Sequence, residues 1–121
     1  MKRVLATAAF AAFGLTAGTA SAVSTSINYI DLQPGMDLQT CLNRGDAALS
    51  ATGLSPLSRT SSAAWAETYE ADALFIVYCI IDRGIAVVSA SAEQAQRSDE
   101  MGNYIDRIMD NFENPQSGGR K

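Results

Sequence analysis

The sequence predicts an α+β fold of two layers: a three-stranded antiparallel meander with two helices packed on one face, in the order α-β-β-β-α. Three observations predict it. Ala73–Ile81 (ALFIVYCII) and Ile85–Ala90 (IAVVSA) are β-branched and aromatic runs joined by Asp82-Arg83-Gly84. Segments with helical spacing of apolar residues flank them on both sides. Cys41 and Cys79 are the only cysteines of the chain. One falls on the first helix and the other in the central strand, so pairing them pins helix to sheet.

The chain opens on a segment of a different kind. Lys2 and Arg3 form a positive n-region, Val4 to Gly18 an uncharged Ala/Leu/Phe-rich stretch, and Ala20-Ser21-Ala22 a small-x-small cleavage site. Residues 1–22 therefore read as a secretion signal. The apolar run falls short of the roughly 18–20 residues that span a bilayer. Cleavage after Ala22 leaves 99 of the 121 residues. They divide into an irregular N-terminal segment (23–36), one α+β domain (37–113) and a disordered tail (114–121). The expected location is the periplasm or the extracellular medium, where two cysteines pair into a disulfide. Neither a C-x-x-C pair nor a neighbouring His supports a redox role.

Within 23–36 the one extended candidate is Ile27-Asn28-Tyr29-Ile30, ended by Pro34-Gly35. Asp37 then caps the first helix. Leu38, Cys41, Leu42, Gly45, Ala48 and Leu49 share its apolar face, opposite Asn43, Arg44, Asp46 and Ser50. Gly53 suits a left-handed residue closing that helix, and Pro56 prevents its resumption. The stretch 57–70 is ambiguous, since Ala63 to Glu67 has helical propensity with Ser62 as a cap. The strand-like run that follows favours a hairpin arm, turning at Glu70-Ala71-Asp72. After the third strand, Ser91 and Gln94 form a capping-box pattern that predicts the start of the last helix. Ala92, Ala95, Met101, Ile105, Ile108, Met109 and Phe112 line its buried side, and Asn114-Pro115 ends it. Glu93 and Arg97 form an i, i+4 pair there.

Alternation in the central strand carries the functional expectation. If Cys79 faces the helices, Phe75, Val77 and Ile81 face them too, and Leu74, Ile76, Tyr78 and Ile80 point the other way. That second face is as apolar as the first, whereas a strand buried on one side only should alternate with polar residues. Three coverings are open: an internal one by residues 27–32 or by Trp65 and Tyr69, a homodimer, or a functional groove for an apolar ligand or another envelope protein. Leu74, Ile76, Tyr78, Ile80 and Trp65 are thus the candidate interaction face.

Charge and composition narrow the chemistry. Removing Lys2 and Arg3 from the nine cations leaves seven against thirteen carboxylates, a net −6 with no His in the chain. Such a surface repels phosphate backbones and anionic lipid headgroups, which excludes nucleic acid and membrane surfaces as expected partners. Without His, and with Lys121 alone at the tail, neither Ser-His nor Ser-Lys nor Cys-His catalysis can be assembled. Zinc and iron lack their usual donors, and no cofactor is implied. Asp99, Glu100, Asp106, Asp110 and Glu113 could offer oxygens to calcium, but at helical spacing they read as a solvated acidic face. Gly118-Gly119 is no phosphate loop. The reading is a small exported non-enzymatic binding module. The alternatives are a small carbohydrate-active hydrolase using Glu67, Glu70 or Asp72 beside Trp65 and Tyr69, or an inhibitor of a secreted hydrolase acting through a loop at 53–62.

Overall fold

The computed structural model describes residues 23–115. The expected signal segment 1–22 and residues 116–121 of the expected tail lie outside it. The described chain is α+β: β1 (Ser24–Asp31), α1 (Leu38–Ala51), β2 (Ser55–Pro56), β3 (Ala63–Glu67), β4 (Ala73–Ile80), β5 (Ile85–Ala92) and α2 (Ser98–Glu113). The five strands make one antiparallel sheet in the order β1-β5-β4-β3-β2. Both helices pack on the same face, α1 over β3 and β4, α2 over β1 and β5. The meander β3-β4-β5 is present as expected, but the sheet is wider.

β1 corrects the reading of 23–36 as irregular. Ser24 to Asp31 pairs along its whole length with β5, from Ser24 opposite Ala92 to Asp31 opposite Ile85. Its helix-facing positions are Ser24, Ser26, Asn28 and Ile30, three of them polar, which hides the alternation. The fully buried Ser24 is polar for a local reason. Its hydroxyl donates to the Gln94 carbonyl at 2.9 Å and accepts the Arg97 backbone N–H at 2.7 Å. It thereby satisfies backbone groups of the connection into α2, which would be costly to leave unpaired in the interior.

α1 forms where the cap and the apolar spacing place it. Asp37 accepts the Thr40 N–H at 2.8 Å, satisfying one of the free donors of the first turn. Cys41, Leu42, Gly45, Ala48 and Leu49 are buried, whereas Leu38, at the helix entrance, is exposed. Gly53 takes φ +90 after the helix, the left-handed conformation expected of it. Pro56 stops the helix but does not leave the chain irregular: Ser55 and Pro56 pair with Glu67 and Ala66 at the sheet's edge, where Pro is tolerated.

The segment 57–70 resolves as a strand at Ala63–Glu67, so pairing with β4 overrides its helical propensity. The start of the last helix is corrected in the same way. Ser91 and Ala92 continue the β5 ladder opposite Leu74 and Ala73, and α2 begins only at Ser98. Ala92 is therefore buried in a strand, and Ala95 lies exposed in the connection. No side chain caps α2; Asp99 and Glu100 in its first turn supply the negative charge that its N-terminus favours.

The core lies between the helices and the sheet. Phe75, Val77 and Val88 of the sheet meet Leu49, Met101, Ile105, Ile108 and Phe112 of the helices. Ala64, Ala66, Ala73, Ala86, Ala90 and Ala92 fill the other helix-facing positions, so α1 and α2 can approach closely. Gly45 marks the nearest approach: a Cβ there would stand 3.2 Å from two Val77 carbons and 3.3 Å from the Ala64 Cβ. One turn earlier, Cys41 is bonded to Cys79 across the same interface. Among the described residues, all the elements, the cystine and the core fall within Ser24–Glu113, so residues 23–121 contain this folding unit.

Candidate functional site

The strand register writes out the face that the helices leave open. Residues directly opposite each other in an antiparallel pair share a face. Ile76 of β4 stands between Trp65 of β3 and Ser89 of β5, and Ile27 of β1 follows Ser89. The next row towards one end is Ala63, Tyr78, Val87 and Tyr29. Ile80, Ile85 and Asp31 come after it. Towards the other end the row is Glu67, Leu74, Ser91 and Thr25.

Both helices pack on the other side of the sheet, so among the described residues no helix covers this face, although Ala63 at its β3 side is buried. Leu74, Ile76 and Ile80 are half-buried by their neighbours alone, and Tyr78 is 45% exposed. Ile27 and Tyr29 are exposed at 70% and 55%. The internal coverings expected as one option are not what the chain does. Residues 27–31 lengthen the sheet sideways instead of folding across it, and Tyr69 projects from the β3–β4 turn at 93% exposure. Trp65 sits on the face itself, half-buried, its indole N–H donating to the Thr60 hydroxyl at 3.1 Å. The alternation places Leu74, Ile76, Tyr78, Ile80 and Trp65 together, as the sequence suggests. Ile27, Tyr29, Ile85 and Val87 also belong to the patch; the alternation of IAVVSA carries the signal for the last two, but only the register joins them.

With strands about 4.8 Å apart and residues about 3.3 Å apart, the four long strands present roughly 400–500 Å² in projection. Thr25, Ser89, Ser91, Asp31 and Glu67 take up part of that area, and the apolar block is the remainder; contiguous exposed apolar patches of a few hundred Å² are often functional.

The residues singled out for hydrolysis do not all meet in one hollow: Asp72 borders one hollow with Glu67 and another with Glu70. Glu67 points to the open side, while Glu70 borders a hollow on the helix side with Leu54, Tyr104 and Glu100. Asp72 is committed elsewhere: the Thr68 hydroxyl donates to it at 2.6 Å and Arg97 reaches it at 3.0 Å. These two contacts, the first the stronger, hold the Asp72 carboxyl below the usual carboxylate range. Arg97 also grips Glu100 at 2.8 Å, which lowers that carboxyl as well and fixes the guanidinium more firmly in its protonated form. The expected Glu93–Arg97 pair gives way to this cluster because Arg97 precedes the helix instead of lying within it. The 53–62 connection is likewise held down, with Arg59 bound to Asp46 at 2.6 Å and Asn43 beside it. Among the described residues no three His, Cys, Asp or Glu side chains gather into a metal-binding group.

The cations are segregated from the open face. Arg44 lies over the Phe112 ring, Arg107 over the Tyr104 ring, Arg59 against α1, and Arg97 at the entrance to α2. Arg83 alone among the described arginines is near the open side, in the turn between β4 and β5. The chain carries a disulfide, and no described helix is long and apolar enough to cross a membrane. The sequence matches no protein-family model and no curated relative.

Proposed function

We propose that the chain is a small exported binding module that acts through the open face of its sheet. The observation that carries this reading is the block of Leu74, Ile76, Tyr78, Ile80 and Trp65, joined by Tyr29, Ile85 and Val87, which no described helix covers, on a sheet whose other face carries the helix-packed core. Burying such a patch against a partner releases roughly 25 cal/mol for each Å² of apolar surface removed from water. A rigid sheet loses little conformational freedom on docking, so more of that gain remains as affinity. Hydrolysis is the weaker reading. A glycosidase needs a carboxyl kept protonated and a second one across a cleft, whereas Glu67 and Glu70 border different hollows, and Asp72, which borders both, is tied to Thr68 and Arg97 and held as an anion.

The test is retention of envelope proteins by the oxidised 23–121 chain and by its Ile76→Asp variant. Ile76 is half-buried on the open side, so the variant keeps the helix-side core intact. Loss of specific retained proteins in the variant supports the reading. The same proteins retained by both would overturn it.

A further inference from the structure

We infer that the partner of this face is a polypeptide surface with an apolar centre flanked by lysine or arginine, and that a basic side chain anchors beside Leu74. The inference rests on the binding role proposed for the open face and specifies the chemistry of its occupant. Its starting point is the distribution of charge around the apolar block. The registers of the open side carry Asp31 and Glu67 and no cation. Glu93, directly after β5, continues the same alternation, one position beyond the buried Ala92. Arg44, Arg59, Arg97 and Arg107 are all held on the helix side or at its entrance. Arg83 stands at the far end, in the same turn as Asp82.

The anionic end has a shape. Glu67 and Glu93 border a shallow hollow of about 340 Å³ lined also by Leu74, Ala73, Ala92 and Ser91, with Val23 at the rim; Asp72 borders it too, but its carboxylate is already paired with Arg97 at 3.0 Å. Glu67 lies on the strand to one side of Leu74, and Glu93 extends the strand to the other side, so the two backbones are two strand spacings apart, roughly 10 Å. A lysine or arginine entering there would lay its aliphatic stem on Leu74 and Val23 and bring its charge between two carboxylates, the arrangement amphipathic cations favour. The remaining apolar rows, from Ile76 and Trp65 to Ile80 and Ile85, then receive apolar residues of the same partner.

The same charges argue against a second copy of this chain. A face-to-face dimer would bring together two faces whose strand positions carry Asp31 and Glu67 and no cation, with Glu93 beside them and Arg83 alone in the turn at the far end, so that acidic groups outnumber basic ones across a drying interface. Such juxtapositions work as rejection of the wrong partner. The acidic rim equally disfavours anionic lipid.

Trp65, the only tryptophan, stands on the face and reports its occupancy directly. The probes are three synthetic peptides without tryptophan: an amphipathic Leu/Lys peptide, its Leu/Glu counterpart, and a Ser/Lys peptide lacking the apolar side. Titrated into the oxidised 23–121 chain, the Leu/Lys peptide should shift Trp65 emission to shorter wavelength. The Leu/Glu peptide should bind about tenfold more weakly, the product of two partly exposed charge contacts. Added salt should narrow that gap. Replacing both carboxylates (Glu67→Gln with Glu93→Gln) should bring the two peptides within about twofold of each other, and Ile76→Asp should abolish both responses. Equal binding of Leu/Lys and Leu/Glu peptides would overturn the basic-partner inference while leaving the open face as a docking surface. Concentration-dependent dimerisation that shields Trp65 without peptide would overturn it in favour of a second copy. Equal response to Ser/Lys would overturn it as mere charge attraction. Retention of the same envelope proteins by wild type and Ile76→Asp would instead remove the binding role beneath it.

Discussion

Opening the Cys41–Cys79 bond should cost this domain a large part of its stability. The bond closes a loop with a sequence separation of 38. In the chain-entropy model, tying off a loop of about that length removes roughly 4 kcal/mol of freedom from the unfolded chain. A domain of this size has about 5–15 kcal/mol in total. Two features should preserve the effect in the folded state. Cys41 and Cys79 are buried in the helix–sheet core, so reduction gives water no new access to them. Gly45 holds α1 against Val77 and Ala64 one turn away, so the helix keeps its seat whether or not the sulfurs are bonded. The assay is urea unfolding of the 23–121 chain, oxidised and reduced, alongside Cys41→Ala with Cys79→Ala. With a slope of about 1–1.5 kcal/mol per M for a small domain, the midpoint should fall by roughly 3 M. The alanine pair should fall slightly further, because it also loses buried volume. A fall below about 1 M with an unchanged slope would refute the reasoning, since the loop would then be constrained in the unfolded chain by something other than the cystine. Two thiols reactive in the native protein would refute its premise.

The strand alternation can be checked by placing a carboxylate at consecutive positions. Val77→Asp puts a charge in a fully buried site and should unfold the domain, a cost above about 4 kcal/mol; Ile76→Asp should leave the thermal midpoint nearly in place, and equal losses would mean that β4 is buried on both sides. Gly45→Ala gains about 1 kcal/mol of helix propensity but forces a methyl to 3.2 Å from Val77. Overpacking of that kind costs about 1–3 kcal/mol, so a lower melting temperature is expected and a higher one would show that α1 can lift off the sheet. The Asp37, Asp72 and Glu100 carboxyls are all held below their ordinary values of 3.8, 3.8 and 4.5. Their contribution is thus complete above the unfolded values and lost as pH falls through the lower folded ones. Urea midpoints should be flat above about pH 5 and drop below pH 4, with a shallower drop for Asp37→Asn, which still caps α1 but no longer titrates.

The fold is legible in the sequence wherever one periodicity dominates. Asp37 and the Cys41-Leu42-Gly45-Ala48-Leu49 face define α1, and ALFIVYCII defines β4 because its β-branched and aromatic content leaves no helical alternative. β1 is not legible, because Ser24, Ser26 and Asn28 occupy its helix-facing positions. Ser24 is there to bond the connection into α2, a contact with residues some seventy positions away that no local window contains. The entry to α2 misleads for the opposite reason. Ser91 and Gln94 imitate a capping box, yet the ladder partners Leu74 and Thr25 hold Ser91 in the sheet. The open face is half legible: Cys79 sets the parity of β4 and hence Leu74, Ile76, Tyr78 and Ile80. What sits beside them depends on register, and β1 contributes Ile27 and Tyr29 only once its pairing is known.

The apolar character of that face is not something the fold itself requires. The helix-side core already contains Phe75, Val77, Val88, Met101, Ile105, Ile108 and Phe112, closed by the alanine positions and the cystine. The same open face accepts Thr25, Ser89 and Ser91 at three of its positions, so polar residues are compatible with the sheet's pairing. Threonine has nearly the β-propensity of isoleucine and valine, and it would have served at positions 76, 80, 85 and 87 without exposing hydrocarbon to water. Leaving Ile76, Ile80, Ile85 and Val87 there invites association, which a rim richer in Asp31, Glu67 and Glu93 than in its single Arg83 restrains between copies of the chain itself. Attraction by the centre and repulsion at the rim together discriminate among partners: each alone would give either aggregation or simple solubility. A sheet fixed on one side by two helices and a cystine presents both features in a constant geometry, and that constancy lets a small surface select its partner.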